Sequence, residues 1–435
     1  MKPSEKRVYA RTVGTPLFTA CWLLSIVNCG LVQFQVWVLS GSALIPGLTA
    51  KISLLIPIVT TAMLAPCSRL HGSLRRLYFP MLLSLIASFS IAHSRSELTF
   101  SQQVTAFFTN YFFLLLAPLC LLSKPFIDLR RIFRLLVIVW IPLTLLGIAQ
   151  HFLADPIVPT ESADGSLFIT SWNFYGSIRA FSLFASGLDF SYFLAIMMPF
   201  FLACFVTRRV IRNRILCGAA IGATALATYS TLTRNAYLFV LQSGLAAIFL
   251  VRSRPIGAAK WFSIPLAGAF VAVLAIVVAP LMAGNVDRDI LQSQSLTERL
   301  LHWADAAETW TGQGLSMFLF GDGQSQGVAN PEYIVDNTFL NFAVQSGLAG
   351  LLAATTYLYA IWMSLRKVVI QQPSPGAIAI CAFFSTWMLS GTFSWSNSVY
   401  ALVSMALFAS PEYDVGEARS EQTITRVASA AAVPT

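Results

Sequence analysis

Charge is what this sequence lacks most. Asp, Glu, Lys and Arg together make up 11% of its 435 residues, where a soluble domain carries about 25%. That shortage excludes an ordinary water-covered surface over most of the chain. Nucleotide-handling motifs are also missing: there is no P-loop and no dinucleotide fingerprint, which excludes nucleotide-driven work. The seven cysteines (Cys21, Cys29, Cys67, Cys120, Cys204, Cys217 and Cys381) lie in or beside apolar runs, without CxxC spacing. They read as small packing residues rather than a zinc or redox site. No HxxxH and no Cys/His cluster occurs, so neither metal nor other cofactor is expected. No internal repeat is convincing.

What the chain has is hydrocarbon-compatible sequence, 56% hydrophobic with a mean hydropathy of +0.70. Apolar runs near 16–39, 44–66, 77–93, 104–122, 132–153, 188–206, 214–231, 234–251, 261–283, 337–364, 376–393 and 397–411 read as helices. Runs of this length define a polytopic helical membrane protein with about twelve spans. They form one bundle over residues 1–411, followed by an Ala/Ser/Thr-rich tail, 412–435, that reads as disordered. The first run is long and lacks a clear small-residue cleavage site, so it reads as an uncleaved helix. Only a very short turn divides the runs at 214–231 and 234–251.

Basic residues orient the bundle. With a cytoplasmic N-terminus, the connections CSRLHGSLRR, SKPFIDLRR, TRRVIRNR, RSRPIGAAK and RKVVIQQPSPG face inside, as does the C-terminal tail. All of the 28 basic residues then lie inside except Lys51, Arg95, Arg179, Arg234, Arg288 and Arg299. Most acids lie on the opposite side. The net charge of +9 therefore marks topology and a lipid bilayer as partner, not a nucleic acid. Two long polar regions face outward, 154–187 and 284–336, the second between the ninth and tenth helices. Within it, LTERLLHWADAAETW places Leu296, Leu300, Trp303, Ala307 and Trp310 on one face, the pattern of a helix lying at the interface. Gly321, Gly323 and Gly327 follow in a turn-rich connection.

A few polar residues stand out. Arg234, in YSTLTRNAYL, lies between two apolar runs at the outer face. A guanidinium there either clamps an anion or snorkels to the interface. Arg179 is the one basic residue in a loop region with Asp155, Glu161, Asp164 and Asp189; it either pairs with an acid or shares a diphosphate with Arg234. Asp336 and Asn337 open the tenth span. Asp336 is either a desolvated general base or a helix N-cap. Among the four histidines, His302 alone lies in an outer polar loop.

In order, SIRAFSLFASGLDFSYFLA, YSTLTRNAYL, ERLLHWADAAETW with GDGQ, and VDNTFLNFAVQSGLAGLL resemble the O-antigen ligase and polymerase superfamily of bacterial inner membranes. The likeness covers about residues 170–365. It implies a GT-C-type all-α fold, while the charge distribution places both termini in the cytoplasm. It also implies metal-independent, inverting transfer of glycans from an undecaprenyl-diphosphate carrier on the periplasmic side. Arg179 and Arg234 match the family's two diphosphate-binding arginines. Arg299 with Trp303 matches its periplasmic Arg/Trp helix. Asp336 with Asn337 falls where the ligases have His-Asn, followed by a similar apolar helix with Gly347, Leu348 and Gly350. An aspartate at this place is more like the polymerases of O-antigen, capsule and exopolysaccharide. The expected activity is thus polymerisation of lipid-linked repeat units, with ligation to lipid A–core as the alternative. A lipid-linked sugar transporter is a third reading, which the missing inverted repeats disfavour. Whether a chain-length regulator joins the enzyme is left open by the residues.

Overall fold

In a computed structural model, the chain is described over residues 82–83, 86–87, 89–90, 129–158, 160, 173–174, 177–184, 186–252, 310–312, 314–321, 338–371 and 373–390. Seven helices account for most of it: α1 (Leu129–Phe152), α2 (Gly187–Thr207), α3 (Arg214–Ser230), α4 (Arg234–Arg252), α5 (Leu315–Phe320), α6 (Thr338–Gln371) and α7 (Pro375–Ser390). Six of the twelve expected runs coincide with α1, α2, α3, α4, α6 and α7. Part of the run at 77–93 is helical; the other expected runs and the tail lie outside the described residues.

α2 is the centre of this group. It packs against α4, α7 and α3, while α1 lies against α3 and α6 lies against α7. A helix that is apolar all round belongs in such a central place, and α2 buries residues on every side, from Phe190 through Met197 to Cys204. Aromatic rings join the elements. Phe133 of α1 stacks on Phe200 of α2 with centroids 4.7 Å apart, and Trp140 meets Phe201 edge-on at the same distance. Phe239 of α4 sits between Tyr192 of α2 and Phe383 of α7. Such offset and edge contacts hold helices together even where hydrocarbon replaces water.

α1 and α2 each contain a stretch long and apolar enough to cross a membrane, Ile132–Phe152 and Gly187–Thr207. α1 turns Ile138, Ile141 and Leu145 outward, each about half exposed or more. Hydroxyls within α3 satisfy themselves: Thr224 donates to the carbonyl of Ala220, and Thr228 to that of Thr224, both at 2.7 Å. They need no water, the condition for polar groups in a hydrocarbon setting.

α3 and α4 are separate helices. Thr231 caps α3, Leu232 turns the chain with φ 47°, and the Thr233 carbonyl accepts from the amides of Ala236 and Tyr237 to start α4. Two features depart from expectation. The polar region 154–187 holds a short antiparallel pair, β1 (Asn173–Phe174) with β2 (Ser177–Ile178), so the fold is not purely helical. The apolar helix after residue 337 is not continuous either. It breaks at Gly347, whose φ of 63° and ψ of −170° are not helical, and it then runs on to Gln371.

α5 explains that break. LSMFLF, within the long polar region 284–336 and just before the turn-rich glycines, forms a short helix packed on α6. A Cβ on Gly321, after α5, would strike the carbonyl of Gln345; a Cβ on Gly347 would strike the carbonyl of Leu319. The two backbones touch because neither residue has a side chain, and Gly321 too has positive φ, 77°. Trp310 braces α5 by stacking on Phe318, centroids 5.0 Å apart, and by donating its indole N–H to the Phe318 carbonyl at 3.0 Å.

Candidate functional site

The ends of α1 and α3 and the starts of α2 and α4 meet around the segment after β2, where Arg179 sits. Gln150, fully buried near the end of α1, organises it. Its Oε1 accepts from the amides of Phe181 (3.1 Å) and Ser182 (2.7 Å). Its Nε2 donates to the carbonyls of Ser182 (3.0 Å) and Pro156 (2.8 Å). Ser182, in a left-handed conformation with φ 55°, also donates its hydroxyl to the Leu143 carbonyl at 2.8 Å. One glutamine thus fixes both strands of chain that leave and re-enter the bundle.

Arg179 is held from both sides. On its left, His151 Nδ1 lies 3.0 Å from the Ile178 carbonyl; a carbonyl only accepts, so Nδ1 carries the hydrogen. On its right, the Ala180 amide donates to the Ser230 carbonyl at the end of α3, at 2.9 Å. The side chain is partly buried and its Nε is shut off from solvent. Burial pushes the guanidinium pKa below its ordinary value, and nearby Tyr237 partly offsets that. Tyr237 donates its hydroxyl to the Tyr229 carbonyl at 2.8 Å, and the Tyr229 ring meets the His151 ring edge-on. His151, Arg179, Tyr229 and Tyr237 therefore form one cluster at this end.

Arg234 is the first residue of α4, which places its backbone one turn before Tyr237. Two helix N-termini, those of α2 and α4, contribute partial positive charge here, which favours an anion. At α2, Ser186 accepts from the Asp189 amide (3.1 Å) and donates to its carboxylate (3.0 Å), a reciprocal cap. Asp155 is used in a local turn, its carboxylate accepting from the Ile157 amide at 2.7 Å.

The arrangement can hold an anion against a partly desolvated guanidinium at the mouth of a helical bundle. Of the residues singled out in the sequence, Arg179 and the start of the helix carrying Arg234 come to this place. Arg299, Trp303, Asp336, Asn337 and His302 lie outside the described residues. Sequence reasoning did not single out Gln150, His151, Tyr229 and Tyr237. The signal for two of them was a polar pair, Gln150-His151, ending an otherwise apolar run. Among the described residues no group of three or more His, Cys, Asp or Glu gathers.

These features define a helical bundle with candidate membrane-spanning helices and an arginine-bearing end. No protein-family model matches this chain, and no curated protein does.

Proposed function

We propose that this chain is a membrane glycosyltransferase of the bacterial inner membrane that polymerises undecaprenyl-diphosphate-linked repeat units at the periplasmic face. A hydroxyl of the acceptor unit attacks the anomeric carbon of the donor glycan from the side opposite the diphosphate. The carbon–oxygen bond to the diphosphate breaks, its electron pair leaves with undecaprenyl diphosphate, and the configuration inverts. Asp336 takes the hydroxyl proton, with Asn337 beside it in sequence to orient the acceptor. Arg179, Arg234 and Arg299 neutralise the charge that gathers on the leaving diphosphate, the electrostatic contribution that dominates such departures. Trp303, four residues after Arg299, is the side-chain type suited to anchor that stretch at headgroup depth.

One observation carries this reading. Arg179 is clamped by hydrogen bonds on either side and interacts electrostatically with Tyr237, on the helix that Arg234 opens. The two arginines that the resemblance assigns to the diphosphate thus come from elements that meet at one end of the bundle. The test is the surface-polysaccharide gel profile of a deletion strain carrying wild-type or altered gene. Deletion, Arg179→Ala and Arg234→Ala should each leave single repeat units without long polymer. Polymer that is made but stays on its carrier, with unmodified lipid A–core, would indicate the ligase instead. Normal chain lengths in both arginine variants would remove the mechanism.

A further inference from the structure

The opposite end of the bundle holds a second basic feature that the proposed transfer does not use. A cavity of about 440 Å³ opens where the start of α1, the connection between α2 and α3, and the start of α7 converge. Its volume falls within the roughly 300–1,000 Å³ of ligand sites. Four arginines line it: Arg134 from α1, and Arg208, Arg209 and Arg212 from the connection. Phe133 and Phe200, stacked on each other, form an apolar floor. No carboxylate is among its described lining residues.

The connection is shaped to keep these arginines together. Arg208 and Val210 are both left-handed, with φ of 55° and 67°. The Ile211 amide turns back to the Arg209 carbonyl at 2.8 Å. Arg209 in turn donates to the Pro373 carbonyl at 2.6 Å, tying the connection to the approach of α7. Left-handed conformations cost of order 1–3 kcal/mol for residues other than glycine and persist only where the surroundings enforce them. The start of α7, capped by Ser374, adds the positive end of a sixteen-residue helix. Fixing topology requires only that basic residues lie near the span ends. It does not require four guanidiniums on one concavity above an aromatic floor.

We propose that this cavity binds a phosphate-bearing anion, and that the apolar floor selects the headgroup of an anionic phospholipid over free phosphate. Arginine pairs bidentately with phosphate oxygens, and basic pockets between membrane helices take up anionic headgroups. The inference does not depend on the chemistry at the Arg179 end.

The test uses the full-length protein purified in detergent, with native mass spectrometry of retained phosphatidylglycerol against phosphatidylethanolamine, and thermal melting with inorganic phosphate. The wild type should retain phosphatidylglycerol preferentially. Arg212→Gln should weaken that retention roughly fivefold, and Arg134→Gln/Arg208→Gln/Arg212→Gln should abolish it. Arg212 is exposed, so its single variant carries the test if the triple variant does not fold. Equal retention of both lipids, with phosphate stabilising the wild type but not Arg212→Gln, would support the anion site with free phosphate as its source. No preference among lipids and no phosphate effect, or the same response in Arg212→Gln as in the wild type, would overturn the proposal.

Discussion

Burial lowers the pKa of Arg179, so its charged form is less favourable in the folded chain than in the unfolded one. By linkage this opposes folding at every pH below the folded pKa, and the opposition fades only as pH rises through that value. A bound anion acts in the reverse sense. Added pyrophosphate should therefore raise the Tm of the purified wild type at neutral pH and raise that of Arg179→Gln by less; equal shifts would take Arg179 out of the anion site. Gln150 tests the scaffold beneath it. Gln150→Leu leaves the buried amides of Phe181 and Ser182 without their acceptor. Each orphaned group costs about 1–3 kcal/mol, so a clear drop in Tm is expected, and an unchanged Tm would show that the clamp does not hold the segment. Arg179 was legible in the sequence because it is a lone base in an acidic polar region. Gln150 and His151 were not, because the partners that tie them to the Arg179 segment lie 27 to 32 residues away and no periodicity announces such a pairing.

At the scale of elements, α1, α2, α3, α4 and α7 follow apolar runs that composition alone delimits to within a few residues. α6 shows where that reading stops. TFLNFAVQSGLAGLL is apolar enough to suggest an unbroken helix, yet it breaks at Gly347 because α5 crosses it. α5 has six residues, too few to show a helical period, and the crossing depends on two glycines far apart in sequence. Their backbone contact predicts a sharp contrast between glycines. Gly347→Ala would place a Cβ against the Leu319 carbonyl in a conformation that is essentially glycine-only. The loss should be about 3 kcal/mol or more. Gly218, inside α3 with no neighbour to meet an added Cβ, should instead gain roughly 0.5–1 kcal/mol as Gly218→Ala. Thermal melting of the two variants in the same detergent checks both signs. A harmless Gly347→Ala would mean that α5 does not cross α6 in contact.

Across the whole molecule, the two ends of the helical bundle differ in kind. One end carries Arg179 and the start of α4, with helix N-termini and a histidine–tyrosine cluster. The other gathers Arg134, Arg208, Arg209 and Arg212 around a cavity with an aromatic floor. The distribution of charge along the sequence anticipates this division, because basic residues crowd the connections on one side. What it does not anticipate is convergence: a count of loop charges places arginines on a side but not around a common cavity. The central claim, transfer of a glycan from a lipid diphosphate, is tested most directly with purified protein and a synthetic undecaprenyl-diphosphate-linked repeat unit. The wild type should release undecaprenyl diphosphate and extend the glycan by whole repeats without added metal, and Arg179→Ala should slow that release at least about 100-fold. No release by the wild type, or equal rates in the two proteins, would contradict the account.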